Sequence, residues 1–315
     1  MAPNGNDSGH AGGMIPGSGT PAFTLRLPAD WPIPVLIAVP HAGRDYPDEV
    51  TDGMRDPAYA ALRLEDRLVD QLAEAVAQAT GAGLLVAHAP RAMLDLNRSP
   101  DDVDWSMVAG GAPDHGGGAA RHSLANRRAR GGLGIVPRRL SGLGEIWKGR
   151  VERTALDARI AGIHAPYHAA LGRALEDVRD RWGAALLVDL HSMPPLPARP
   201  VGQPAAEFVI GDRFGASCGR ELVAAAFAYF EAQARPAAHN RPYAGGYVLD
   251  RHAAPSRRIH AIQLEVCRAS YLDATLSQSS GRAAGVARLI AGLVRVLAAE
   301  VAAIGAAGRT PLAAE

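Results

Sequence analysis

Residues 184–190 restrict the fold more than any other segment of the chain. They read Ala-Ala-Leu-Leu-Val-Asp-Leu, without any alternation of polar and apolar positions. A strand of this kind is buried on both faces, which happens in parallel sheets that are covered by helices on both sides. The segment therefore predicts an α/β fold in which it is a central strand.

Further strand and helix patterns alternate along the chain. Short β-rich runs end at turn residues, and longer stretches carry apolar residues at helical spacing. The predicted strands are 34–39, 83–87, 93–94, 208–210 and 259–266, and the predicted helices are 59–79, 151–181 with an interruption near Pro166, 217–232 and 279–304. This order predicts a three-layer α/β fold, with a mostly parallel or mixed central sheet flanked by helices.

The chain shows no internal repeat and no composition break, which predicts a single domain over residues 21–306. Residues 1–20 are rich in Gly, Ser, Pro and Asn, and they offer little apolar surface to offset the entropy of ordering. We predict a disordered tail there and a flexible C-terminus over 307–315. The many glycines of residues 107–146 predict a long mobile loop, a kind of segment that often contributes to a site.

Charge and composition disfavour several classes of function. The formal net charge is +1 and there is no polybasic run, which disfavours nucleic-acid binding. Two cysteines without a Cys-x-x-Cys spacing are typical of a reducing compartment. The apolar stretch 285–305 contains Arg288, Arg295 and Glu300, so we predict no membrane span, and no signal peptide is recognised. We expect a cytoplasmic monomer or small homo-oligomer that acts on a small molecule.

Polar residues at the ends of the predicted strands carry the chemistry. His41 follows the first strand, His191 ends the apolar strand, and Glu265 lies in the strand 259–266. Ligands of open α/β sheets bind outside the carboxyl ends of the strands, so these residues can converge. Two imidazoles, one carboxylate and an open position make the usual catalytic zinc site. Glu65 and Asp66 are both candidates for the carboxylate, although a lone histidine after a strand is more often structural.

Two further groups of residues support or extend this site. Asp189 lies on the same strand face as His191, and such a carboxylate often orients a zinc-bound imidazole. The cluster Asp95-Leu-Asn-Arg98 offers an arginine, which grips carboxylates through paired hydrogen bonds, and an asparagine beside it. Taken alone, this cluster is equally consistent with a turn and a surface ion pair.

Seven short segments, in order, make the chain resemble the N-formylglutamate amidohydrolase family over about residues 33–272. They are Val-Pro-His-Ala-Gly at 39–43, Glu65-Asp66 with Val69-Asp70, Asp-Leu-Asn-Arg at 95–98, Tyr167-His168, Val-Asp-Leu-His-Ser-Met at 188–193, Asn-Arg-Pro-Tyr-Ala-Gly-Gly-Tyr at 240–247, and Gln-Leu-Glu-Val-Cys-Arg at 263–268. The family is similar in fold to zinc carboxypeptidases and aspartoacylase. The resemblance implies zinc held by His41 and His191, Glu265 as general base, and Asn97 and Arg98 as carboxylate binders.

The third zinc ligand is where the chain departs from the carboxypeptidase pattern. Those enzymes use a His-x-x-Glu spacing, but Arg44 occupies the position of the glutamate. We choose Asp66 as the ligand and keep Glu65 as the alternative. We also expect substrate contacts from His168, Arg241 and Arg268. The alternatives are a packed helical histidine, a plain tight turn and an ordinary ion pair, respectively.

The predicted reaction is zinc-dependent hydrolysis of N-formyl-L-glutamate, or a similar N-acyl acidic amino acid, to the free amino acid and formate. Two other functions remain open. One is a carboxypeptidase-like or deacylase-like zinc hydrolase that acts on another N-acyl amino acid or a small peptide. The other is a binding protein that retains the fold without the chemistry.

Overall fold

The computed structural model describes residues 8–112, 129, 131–197 and 204–308, and an eight-stranded sheet runs through its centre. The strands are β1 Ser8–Gly12, β2 Phe23–Leu27, β3 Val35–Val39, β4 Gly83–Ala87, β7 Ala185–Met193, β8 Phe208–Gly211, β9 Ala237–His239 and β10 Ile259–Cys267, while β5 Arg139–Leu140 and β6 Gly144–Glu145 form a separate two-stranded sheet. The order across the main sheet is β1-β2-β4-β3-β7-β10-β8-β9. Strands β4, β3, β7 and β10 are parallel, and antiparallel pairs flank them on both sides. The predicted mixed sheet is confirmed.

Helices cover both faces of this sheet. They are α1 Asp48–Gly53, α2 Pro57–Leu64, α3 Val69–Thr80, α4 Arg153–Arg159, α5 Ala165–Trp182, α6 Arg220–Ala232, α7 Tyr247–His252, α8 Arg268–Tyr271 and α9 Ala283–Ala307. Helices α3, α6 and α9 share one apolar cluster with one face of the sheet, and α5 shares the other cluster with the opposite face. Every residue of β7 and β10 is buried, as expected of central strands between two helical layers.

The N-terminal segment differs from the predicted disordered tail. Strand β1 pairs with β2 along the edge of the sheet, and Ile15 is fully buried. Pairing with an edge strand satisfies the backbone groups of a segment that has few apolar side chains, and Ile15 adds an anchor. The prediction is therefore wrong for residues 8–20, and residues 1–7 lie outside the described part. At the other end, α9 extends to Ala307 and residues 309–315 are not described.

Two local predictions are wrong near the carboxyl edge of the sheet. The residues 93–94 form a turn after Pro90 instead of a strand. The predicted helix 59–79 is divided into α2 and α3, because the backbone of Glu65 is extended and Leu68 is left-handed. This break carries Glu65 and Asp66 inwards, and both are buried. The helical spacing of the apolar residues continues across the break, so the pattern did not reveal it.

The predicted interruption near Pro166 is a short π-helix, Ile160–His164, between α4 and α5. The Ala165 amide donates to the Ile160 carbonyl, five residues back. In the predicted loop 107–146, the described part includes the hairpin β5–β6 and the buried residues Ile135 and Ile146. Residues 113–128 and 130 of this loop lie outside the described part. Helix α9 is long and apolar enough to cross a membrane by length and composition, but it packs against α3 and α6.

Candidate metal centre and substrate cleft

Three buried side chains from distant parts of the chain converge at the carboxyl edge of the sheet. The candidate ligand atoms of His41, Asp66 and His191 all lie within 4.8 Å of one another. Oδ2 of Asp66 is 3.0 Å from Nδ1 of His191 and 3.5 Å from Nδ1 of His41. Two imidazole nitrogens and one carboxylate oxygen therefore face a common point.

The sheet topology explains why these residues meet. His191 lies near the end of β7, and His41 lies two residues beyond the end of β3, the parallel neighbour of β7. Asp66 comes from the break between α2 and α3, where its backbone N–H donates to the His41 carbonyl at 2.8 Å. The carboxyl ends of adjacent parallel strands bring both histidines to one edge, as expected from the sequence.

A second carboxylate supports each histidine from behind. Nε2 of His41 lies 2.7 Å from Oδ1 of Asp95, and Nε2 of His191 lies 2.9 Å from Oδ2 of Asp189. Burial raises the pKa of Asp95, but Arg91 and His41 outweigh it and hold that pKa well below the usual value. In a neutral imidazole, an ionised carboxylate at Nε2 keeps the proton on that nitrogen, which leaves the lone pair on Nδ1.

Asp66 is itself fixed by two donors on its other oxygen. Ser192 donates to Oδ1 at 3.3 Å, and Nη2 of Arg268 lies 3.4 Å from the same atom. Burial raises the Asp66 pKa, but the neighbouring His191 and His41 lower it overall, so the carboxylate is ionised. Oδ2 is consequently presented to the two imidazoles as an anionic oxygen.

The donor set fits a zinc ion. Catalytic zinc sites use three protein ligands of the imidazole and carboxylate type and keep one position open. Nδ1 of His41 is buried and has no hydrogen-bond partner among the described residues, although an unpaired buried polar atom is costly. A metal would satisfy it. The pairing of each Nε2 with a carboxylate is also the usual arrangement around metal-bound histidine.

Glu265 lies beside this cluster because β10 pairs in parallel register with β7. Glu265 is opposite His191, and Gln263 is opposite Asp189. Burial, opposed by the neighbouring His191 and assisted by Asp66, raises the pKa of Glu265 to about 7. A carboxyl group with a pKa near neutrality is able both to accept and to return a proton.

A cleft of about 560 Å³ opens over the cluster and Glu265. Its cationic lining comprises Arg63, Arg91, Arg98, Arg213, Arg241 and Arg268. Arg213 is paired with Asp250 through two hydrogen bonds. Nε of Arg98 is buried and makes no hydrogen bond to any described residue, and Arg241 is exposed at the cleft wall. Arg98 and Arg241, both predicted substrate contacts, therefore line the cleft with donors to offer.

Two other predicted substrate contacts line the cleft but are bonded to the protein. Arg268 donates to the Ser192 hydroxyl and to the carbonyls of Leu62 and Glu65, in addition to its contact with Asp66. Asn97 uses both ends of its amide on protein partners, Val248 and Gln263. These protein contacts indicate a positioning role for both residues, and their contacts with substrate stay predictions.

His168 is not among the residues that line the cleft, so its contact with substrate stays a prediction that the geometry does not support. Its Nε2 bonds to the Leu96 carbonyl at 3.0 Å, and its Nδ1 lies 2.9 Å from Nε2 of His252. Both histidines border a separate pocket, which is lined in part by residues of α5 and α7. The structure thus gives His168 the alternative role of a packed helical histidine. Glu65, the alternative ligand, is bonded to Arg67 at 2.8 Å and is not in the ligand cluster.

Sequence reasoning missed two residues of the site. Asp95 was interpreted only as part of a polar cluster, whereas it is the partner of His41. Arg91 lines the cleft and bonds to Asp95 at 3.0 Å. No spacing rule connects residue 95 to residue 41, because their contact depends on the turn after Pro90. The Asp-Leu-Asn-Arg motif was the available signal for Asp95.

Comparison with known proteins fits this geometry. The model of the family described as N-formylglutamate amidohydrolase matches residues 33–272. The chain belongs to this family. It is 31% identical over 245 residues to the N-formylglutamate deformylase of Pseudomonas putida, covering 77% of the chain and 83% of the relative. The corresponding enzyme of Pseudomonas aeruginosa is 29% identical over 248 residues, at 76% and 83% coverage.

Solved structures agree with the sequence comparison. The crystal structure of an N-formylglutamate amidohydrolase from Ralstonia eutropha JMP134 matches with a TM-score of 0.75 at 30% identity, covering 89% of the chain and 98% of that protein. A gene product of Agrobacterium tumefaciens shares the fold with a TM-score of 0.61 at 17% identity, at 86% and 92% coverage. The predicted family is confirmed, and this member of it is a hydrolase that acts on an amide bond.

Proposed function

We propose that the protein hydrolyses N-formyl-L-glutamate, or a closely similar N-acyl acidic amino acid, to the free amino acid and formate. The observation that carries the proposal is the convergence of His41, Asp66 and His191 beside the buried Glu265, in a cleft lined by arginines. The names of the Pseudomonas relatives support N-formylglutamate as the substrate.

His41, Asp66 and His191 are the residues that would hold zinc, through the two Nδ1 atoms and Oδ2 of the aspartate. Bound zinc supplies Lewis-acid polarisation of the acyl carbonyl and lowers the pKa of a bound water. Asp95 and Asp189 keep the two imidazoles in the tautomer that this role requires.

Glu265 is the proposed general base and acid. Its carboxylate takes a proton from the attacking water while the water oxygen bonds to the acyl carbon. The C–N bond then breaks, and Glu265 returns the proton to the departing amine nitrogen. Burial within the cleft favours this exchange because fewer waters compete for the carboxylate.

The arginines supply the complement to an anionic substrate. Arg98, whose buried Nε makes no hydrogen bond to a described residue and lies 4.0 Å from Oδ2 of Asp95, is the proposed partner of one substrate carboxylate, and Arg241 is the proposed partner of the second. Arg91 lines the cleft beside Asp95, and its proposed role is to offer positive charge to the acyl oxygen as that oxygen becomes negative.

Formate release measured together with metal content tests this proposal. We expect the purified chain to contain about one zinc per molecule, to lose activity with a chelator, and to regain it when zinc is added. A panel of N-formyl-, N-acetyl- and N-succinyl-L-glutamate with N-formyl-L-aspartate identifies the acyl group and the amino acid. Faster turnover of another compound in the panel would identify that compound as the substrate in place of N-formyl-L-glutamate. A chain with neither zinc nor turnover would be a binding protein.

The role of Arg98 is tested by Arg98→Ala. We expect the KM for N-formyl-L-glutamate to rise about 10- to 100-fold, since a charge-assisted hydrogen bond contributes roughly 1.5–3 kcal/mol. The effect on kcat should be smaller. Arg213→Ala is the matched control, because Arg213 lines the same cleft but is paired with Asp250. Equal KM values for Arg98→Ala and the parent would assign the carboxylate to another residue.

A further inference from the structure

A continuous set of side-chain hydrogen bonds connects the start of α7 to Glu265. The backbone N–H of Val248 donates to Oδ1 of Asn97 at 3.0 Å, and Nδ2 of Asn97 donates to Oε1 of Gln263 at 3.2 Å. Nε2 of Gln263 then donates to Oε1 of Glu265 at 2.8 Å. Each amide therefore makes a hydrogen bond to the protein at both of its ends.

The direction of these bonds is fixed from one end. A backbone N–H can only donate, so the atom of Asn97 that faces Val248 has to be its oxygen. The nitrogen of Asn97 consequently faces Gln263, whose oxygen must accept. The nitrogen of Gln263 is then left to donate to the Glu265 carboxylate. A flip of either amide would oppose like groups at two positions.

This direction has a consequence for the proposed base. Oε1 of Glu265 is occupied as an acceptor, so Oε2 is the oxygen that remains to take a proton from water. The donated bond also restricts rotation of the carboxylate about its last side-chain torsion, which is otherwise broad. A base held in one orientation is expected to transfer protons more efficiently than one that rotates.

This relay of hydrogen bonds, from Val248 through Asn97 and Gln263 to Glu265, also contacts the loop that forms one wall of the cleft. Residues 240–246 precede α7, and all of them line the cleft. A Cβ atom on Gly246 would lie 2.5 Å from Oδ1 of Asn97, so the loop is packed directly on the amide. Asn97 is further anchored through its backbone N–H, which donates at 2.8 Å to the Asp95 oxygen that also bonds His41.

We infer that Asn97 and Gln263 are positioning residues that orient Glu265 and couple it to the cleft loop 240–246. The inference rests on the proposed role of Glu265 as the base. It assigns Asn97 a task other than holding the substrate carboxylate, the role that family resemblance implies for it. A displacement of the loop or of Asn97 is transmitted to the base through Gln263.

Gln263→Leu is the first test, because leucine retains the approximate volume and removes the donor to Glu265. We expect kcat to fall about 10- to 100-fold, as for a misplaced catalytic group, while KM changes by less than about threefold. Zinc content should equal that of the parent. Gln233→Leu makes the same chemical change at the exposed end of α6, and it should leave both constants unchanged.

A double-mutant cycle separates a relay from two independent residues. Asn97→Ala should lower kcat to a similar extent, and the double variant with Gln263→Leu should be little worse than the worse single variant. Gly246→Ala tests the loop contact without removing a relay residue, and it should also lower kcat more than it raises KM. Multiplicative losses in the cycle, or a KM rise above about tenfold in Asn97→Ala with kcat preserved, would overturn the inference.

Amide hydrogen exchange tests the relay independently of turnover. Asn97→Ala removes the acceptor of the Val248 N–H, so this amide should exchange at least about tenfold faster than in the parent. Unchanged Val248 exchange would overturn the relay even in an active enzyme. An inactive parent in which Val248 exchange still responds would overturn the proposed function and leave the hydrogen-bond relay standing.

Discussion

Two clusters of buried histidines contact the loop 95–98, and they differ in what surrounds them. In the first cluster, Nε2 of His41 and Nε2 of His191 are each bonded to a carboxylate, and both Nδ1 atoms face Asp66. In the second cluster, the hydrogen bonds of the ring nitrogens go to backbone carbonyls or to another ring. His164 bonds to the Arg98 carbonyl and His168 to the Leu96 carbonyl.

The electrostatic outcomes are opposite. Burial lowers the pKa of His191, but Asp189 and Asp66 outweigh it and raise that pKa well above the usual value. In the second cluster burial dominates, and it lowers the pKa of His168 to about 2 and that of His252 to about 3. The charge of the neighbours therefore decides whether a buried imidazole retains its proton, as at His191, or stays neutral, as at His168.

The two clusters nevertheless act on one loop. Asp95 of this loop supports His41 through its side chain, while the carbonyls of Leu96 and Arg98 accept hydrogen bonds from the second cluster. The neutral histidines hold the backbone of the segment in which Asp95 supports the candidate metal centre. This comparison predicts that substitutions in the first cluster remove chemistry, and that substitutions in the second change stability.

The largest expected effect comes from His191→Ala. Loss of an imidazole ligand should remove zinc and lower kcat/KM at least about 1000-fold, since a catalytic metal supplies several kcal/mol of transition-state stabilisation. His168→Gln, the matched change in the second cluster, should retain about one zinc per chain. Metal analysis of both variants after extensive dialysis makes the measurement. Equal zinc content in the two would remove the distinction between the clusters.

The sequence predicted the first cluster better than the second for a physical reason. One face of β7 and β10 is apolar at its start and polar at its end, and this change along a single side-chain register is visible in the sequence. The apolar residues are Ala185, Leu187, Ile259 and Ala261, and the polar residues are Asp189, His191, Gln263 and Glu265. His168 sits at helical spacing, where a packed side chain and a ligand look the same.

Contacts that depend on backbone breaks were beyond the sequence pattern. The apolar spacing of 59–79 continues through the break that carries Asp66, so only the acidic pair and the family resemblance indicated a ligand there. Strand β1 was missed because its side chains are small or polar and its stability comes from backbone pairing with β2. The alternation of strands and helices, by contrast, depends on buried apolar area, and that part of the fold was predicted with its central strands in place.

The second largest effect is expected from Glu265→Gln. This variant retains the shape of the side chain but cannot accept a proton, so kcat should fall about 100- to 10,000-fold, as is typical for loss of a general base. Zinc content should stay at the parental level, because Glu265 is outside the ligand cluster. Turnover within a few fold of the parent would remove Glu265 from the mechanism and leave the metal site intact.

A smaller effect is expected when the carboxylate that supports His41 in the first cluster loses its charge. Asp95→Asn replaces the anionic partner of His41 with a neutral amide, and we expect zinc affinity to fall about 10- to 100-fold. Competition with a chelator of known affinity measures the change. Asp250→Asn, at a carboxylate that pairs with Arg213 in the cleft wall, is the control and should leave zinc affinity unchanged. Equal losses in the two variants would argue against a specific role for the His41 partner.

The smallest expected effect concerns the second cluster and appears only in acid. The folded pKa values of His168 and His252 are depressed below the usual 6.5, so the unfolded chain binds their protons first. Their neutral packing is therefore fully favourable above about pH 6.5, and it is lost progressively as the pH falls towards 3. Each group contributes roughly 1.4 kcal/mol of lost stability per pH unit in that window.

Urea unfolding at pH 7.5 and pH 5 should show that His168→Gln loses less stability on acidification than the parent does. The loss of unfolding free energy between the two pH values is compared between the variant and the parent. The candidate metal centre is common to both proteins, so its contribution cancels. His10→Gln, on the exposed strand β1, should behave like the parent. The same acid sensitivity in His168→Gln and the parent would mean that the second cluster is not the neutral scaffold described above.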